Sequence, residues 1–137
     1  NYQIRLTLTA EAAKIFREVP ADPKFSELNS VLGNHGAALK CQFDAFSEYV
    51  SEAEREGQEN YALYQWTKDT IEDAEKKSKY LRSFTVYVLE EQIYSAALAE
   101  PLEHDLKSLK SSEFILGISK YDTNPAKNPQ MPAKYRT

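Results

Sequence analysis

Cysteine is almost missing from this chain: Cys41 stands alone in 137 residues. One thiol excludes an internal disulfide framework, and no cysteine cluster exists to hold a structural zinc. Histidine is nearly as scarce. His35 and His104 are the only two, with no HExxH pattern and no second histidine at helical spacing from either. Glycine is sparse as well, and Gly33-Asn34-His35-Gly36 is too short and too poor in glycine to match a phosphate-binding loop. No apolar run approaches the length that spans a bilayer, and the visible start carries no signal-peptide pattern. The expectation is a cytoplasmic protein without cofactor or metal, and without membrane insertion.

What is present is charge and aromatic surface. Lys and Arg number 17 against 21 Asp and Glu, a net charge of −4 that opposes long-range attraction to a polyanion. The densest positive patch, Lys76, Lys77, Lys79 and Arg82 around Tyr80, is therefore read as a solvated helix face or a contact for an acidic partner. No specific nucleic acid is expected. The length suits one domain with a modest core.

Along the chain, Ile4, Leu6 and Leu8 alternate with Arg5, Thr7 and Thr9, the period of a half-buried strand. Ala12, Ile15, Phe16 and Val19 then share a helical face, stopped at Pro20. Asp22-Pro23 starts another helix, carrying Phe25, Leu28, Val31 and Leu32 to the break at 33–36. Leu39, Phe43, Phe46, Val50 and Ala53 recur at helical intervals and predict a long helix from about Ala37 to Gly57. A second long helix follows, with Tyr61, Tyr64, Ile71, Ala74 and Leu81 near one stripe and Trp66 beside it.

Residues 84–89 fit two periods. Phe84, Val86 and Val88 alternate as a strand does, yet no Gly or Pro interrupts the chain from Glu59 to Glu100. The missing breaker favours one continuous helix. Pro101 is placed in the first turn of a further helix, with Leu102, Leu106 and Leu109 inward. Phe114–Ile118 reads as a final strand able to pair with residues 3–9.

The resulting fold class is mainly α: an antiparallel long-helix pair with shorter helices, the alternative being α+β through a small terminal sheet. Core candidates are Phe43, Phe46, Val50, Trp66, Ile71, Leu81, Phe84, Leu106 and Leu109. Residues 1–118 form an acidic helical domain. Residues 119–137 form an extended tail, where Lys120, Lys127, Lys134 and Arg136 against Asp122 give +3 and leave −7 for the rest.

The chemical candidates are thin. His104 lies beside Glu103 and Asp105, but no distant ligand is evident. Cys41 has Lys40 and His35 nearby in sequence without an oxyanion-forming motif, and reads as a small buried hydrophobe. Glu52/Glu56, Asp69/Asp73 and Glu72/Glu75 belong to polar helix faces rather than to a cleft holding carboxylates in unlike environments. No enzyme is expected.

The tail points to a partner instead. Tyr121, Met131 and Tyr135 are separated anchors, Lys127, Lys134 and Arg136 supply charge, and the prolines lower the cost of ordering. With a tyrosine-rich composition suited to interfaces, the functional expectation is a structural or interaction subunit of a protein assembly, bound to another protein or to its own copies. The alternative is a small ligand-binding regulator with a helical pocket near Asn34 and His35.

Overall fold

The computed structural model describes residues 1–109 and 113–123. β1 (Tyr2–Leu8) leads into α1 (Ala10–Glu18), then a 3-10 turn at Pro23–Phe25 and α2 (Ser26–Asn34). β2 (Ala37–Cys41) is followed by α3 (Gln42–Glu56), α4 (Tyr64–Glu72) and α5 (Ala74–Leu81). β3 (Ser83–Val88), α6 (Ala96–Lys107) and β4 (Ile115–Asp122) complete the order.

The four strands form one antiparallel sheet in the order β2-β3-β1-β4. This is a split βαβ arrangement, with α3–α5 inserted between the second and third strands. The long-helix pair is therefore replaced by a mixed α/β fold whose sheet is central, not a terminal accessory. The expected pairing of the first and last strands is present, with Leu6 opposite Ile118.

Three local events explain the difference. Cys41 is extended (φ −62°, ψ 130°), so the helix begins at Gln42 and Leu39 belongs to a strand. Asp73 is extended too, and its carboxylate accepts from the Glu75 and Lys76 amides at 3.0 and 3.1 Å. An aspartate N-cap thus ends α4 and starts α5 without Gly or Pro. Next, Ser83–Val88 adopts the strand its β-branched and aromatic content permits, with Phe84, Val86 and Val88 all buried. Pro101 lies within α6, not in its first turn, because the helix already starts at Ala96.

The register places Leu39, Val86 and Ile4 in one row, and Cys41, Phe84, Leu6 and Ile118 in the next. Phe25, Leu28, Leu102 and Leu106 from the helices close over this face. Each such side chain, fully buried, contributes roughly 1.5–3 kcal/mol relative to exposure. Phe16 meets Phe25 and Phe84 edge-on, at 5.1 and 5.5 Å between centroids. Of the expected core, Phe84, Leu106 and Leu109 belong here, while Phe43 packs partly against it. Val50 falls in a separate small core with Ala53 and Tyr64, flanked by Ile71. Phe46, Trp66 and Leu81 are only half-buried.

Tyr94 locks the centre of the sheet. Its backbone exchanges hydrogen bonds with Tyr2 (2.7 and 2.9 Å). Its buried hydroxyl accepts from the Ile4 amide at 3.1 Å and donates to the Val86 carbonyl at 2.8 Å. Burial raises the Tyr94 pKa, which keeps the hydroxyl a donor.

Candidate functional site

β2 is an edge strand, and its register decides which of its peptide groups are free. The Leu89 amide donates to the Gly36 carbonyl at 2.9 Å, so Gly36, Ala38 and Lys40 take the hydrogen-bonded positions opposite β3. The N–H and C=O groups of Ala37 and Leu39 consequently point to the outer side. No strand pairs with that side among the described residues.

The outer edge runs along a trough of about 660 Å³. α1 contributes Phe16 and Arg17 to its walls, α2 contributes Leu32, and α3 contributes Asp44 and Glu48. On the other sheet face, a groove of about 1100 Å³ passes Ala38, Tyr87 and Tyr49. Leu39 and Lys40 line both hollows. The edge is thus accessible from two sides.

Ion pairs fix the trough walls. Arg17 donates to both Asp44 oxygens, at 2.9 and 2.7 Å. That guanidinium holds the Asp44 carboxyl below the usual carboxylate range, and Asp44 raises Arg17 in return. Lys40 lies 2.7 Å from Glu48, and the hydrogen bond raises the ammonium pKa. Cys41 ends the strand with its thiol 3.5 Å from the Tyr80 carbonyl, and burial pushes its pKa up. A buried thiol held in its protonated form is a packing group, not an activated nucleophile.

The far end of the second groove stores strain. Leu89 and Glu90 have φ of 51° and 69°, both non-glycine residues in the left-handed region. They form the two-residue turn that returns Glu91 to Val88 through reciprocal 2.9 Å bonds. Gly36 (φ 61°) accommodates them, since a Cβ there would stand 2.8 Å from Leu89 Cδ2. Leu89 itself is 64% exposed.

β4, the opposite edge, is protected differently. Lys120 lies opposite Ile4, on the sheet face that carries the core, where it is 3.3 Å from Glu103 and over the Tyr2 ring. A bulge interrupts the β1–β4 register between Thr7 and Leu8. Inward charge and a bulge both discourage strand addition. β2 is shorter but carries neither device.

The sequence candidates are dispersed around this site. Asn34 is exposed at the end of α2, while His35 Nε2 lies 2.7 Å from Asp105 Oδ2 and ties α2 to α6. Neither lines the two hollows beside β2. His104 is exposed on α6, and no group of three or more metal-ligating side chains occurs among the described residues. Asp73 is used as a helix cap and Asp69 accepts from Gln65 at 2.8 Å. Tyr121 is in β4 under the Arg5 guanidinium, 4.8 Å from the ring centre. β4 therefore continues across the expected boundary at residue 118. Lys127, Met131, Lys134, Tyr135 and Arg136 lie outside the described residues.

Sequence reasoning overlooked Ala37–Cys41. Its signal was a period of two, with Leu39 and Cys41 on one face and Lys40 on the other, directly after Gly36. Alanines carry little strand preference, and the helical spacing from Leu39 to Val50 masked it. No helix among the described residues is long and apolar enough to cross a membrane. Comparison with protein-family models, curated proteins and solved structures finds no match to this chain.

Proposed function

We propose that this protein is an interaction subunit of a protein assembly, and that it binds an extended segment of a partner protein along β2. The observation that carries this reading is the outward-facing peptide groups of Ala37 and Leu39, set in a trough open along the strand. Main-chain hydrogen bonds would supply affinity, and the alternate side chains of the added strand would enter the hollows on either face. Phe16 and Leu32 offer apolar contact. The Arg17–Asp44 and Lys40–Glu48 pairs offer ionic selection.

The basic C-terminal residues add a second contact in this proposal, through Lys127, Met131, Lys134, Tyr135 and Arg136. A scarcity of cysteine fits work in the cytoplasm. Native mass spectrometry of material from the source tests for a stable partner. Ala38, exposed on β2, is the substitution site: Ala38→Glu should weaken the complex while the fold is retained. Ending the chain after Thr123 spares β4 and separates the tail's contribution. If Ala38→Glu leaves the complex intact and the deletion alone dissolves it, the β2 reading is wrong.

A further inference from the structure

A different hollow separates α1 from α5. The Leu8 amide donates to the Arg82 carbonyl at 2.9 Å, which brings the start of α1 beside the end of α5. The small side chains of Ala13 and Ala74 leave room in the hollow, and Leu81 adds to its apolar lining. The cleft is about 470 Å³, within the range of small-molecule sites.

Its charge runs against that of the protein. Lys14 and Arg17 of α1, with Lys77 and Arg82 from the other side, line the cleft against one carboxylate, Glu18, in a chain of net charge −4. These cations differ in availability. Arg17 is held by Asp44, and Lys77 lies 5.4 Å from the Phe43 ring centre. Lys14 is exposed and has no ion-pair partner among the described residues. The Arg82 Nε is buried with no hydrogen-bond acceptor. A buried cationic donor without an acceptor is costly, and an anion beside the guanidinium would offset part of that cost.

We propose that the α1–α5 cleft binds an amphiphilic anion, a carboxylate or phosphate monoester on a short apolar chain. The head group would meet Lys14 and Arg82, and the chain would cover Ala13, Ala74 and Leu81. A hydrated inorganic ion would use the cations and leave the apolar lining exposed. A neutral amphiphile would do the reverse. The joint presence of both features selects the amphiphile with a negative end.

The test is an amide NMR titration of the full chain with octanoate and with octyl phosphate, beside inorganic phosphate and octyl glucoside. At least one anionic amphiphile should give saturable shifts confined to residues 10–18 and 74–82. Which of the two binds more tightly identifies the head group. Lys14→Glu should weaken binding about tenfold, as loss of a charge-assisted contact does, and Lys14→Arg should restore it. Arg82→Gln should weaken it as well. Equal binding of octyl glucoside or inorganic phosphate would overturn the proposal. So would shifts mapping elsewhere, no saturable binding by either anion, or a Lys14→Glu variant that binds unchanged.

Discussion

The sheet-and-helix body and the inserted lobe α3–α5 are held together by different means. In the body, Ile4, Leu6, Val86, Leu102 and Leu106 are fully buried, and three phenylalanines pack edge-on between sheet and helices. In the lobe the buried apolar set is Val50, Ala53 and Tyr64. The remainder is half-exposed aromatic contact, such as Phe46 with Trp66 and Tyr80, and polar ties such as Tyr64 with Glu54 at 2.8 Å. A large apolar core resists opening, whereas a small one bounded by exposed polar groups opens locally. The body should therefore set global stability, with the lobe serving as a movable wall of the β2 trough.

Substitutions can break this comparison, and the largest effect is expected at Phe84. Phe84→Ala should cost about 3–5 kcal/mol in urea denaturation, because a cavity would open where sheet, α1 and α2 meet. Tyr94→Phe should cost about 1–3 kcal/mol, since it leaves the Ile4 amide and Val86 carbonyl without their shared partner. In the lobe, Val50→Ala should cost about 1–2 kcal/mol. Its hydrogen-exchange signature should be confined to residues 42–81. A global loss of protection in that variant would show that body and lobe unfold as one unit.

How much of this was legible in the sequence follows the same division. β1 was visible because Ile4, Leu6 and Leu8 face a core on one side only. The Asp22-Pro23 start was legible too, and the Asp22 carboxylate accepts from the Lys24 amide at 2.9 Å. In the lobe, period reasoning failed because Asp73 breaks a helix by capping the next one. The same residue type also sits on solvated helix faces, so its position alone did not mark a boundary. The strand at Ser83–Val88 needed its neighbours. Phe84 and Val88 fit a helical stripe as well as a pleat, and only pairing with β1 and β2 decides between them. The trough was illegible for a related reason, since its walls come from α1, α2 and α3 and depend on tertiary placement. For the tail, the fold explains why Tyr121 differs from the later candidates: it is part of the sheet.

A smaller effect concerns acid. Because Arg17 depresses the Asp44 pKa in the folded state, this group favours folding above the ordinary carboxylate pKa. Its contribution falls away as pH drops through the lowered value. Both side chains remain about one-third exposed (31% and 36%), so screening keeps the contribution small. Asp44→Asn should flatten this part of the acid-stability profile measured by circular dichroism, and leave the neutral-to-alkaline part unchanged in shape.

The most direct test of the open β2 edge is residue-resolved amide hydrogen exchange on the isolated protein at low concentration. The Ala38 and Lys40 amides, bonded to β3, should be protected, and those of Ala37 and Leu39 should exchange far faster. Protection of Leu39 equal to that of Lys40 would contradict the account, because the strand would then already be paired on its outer side.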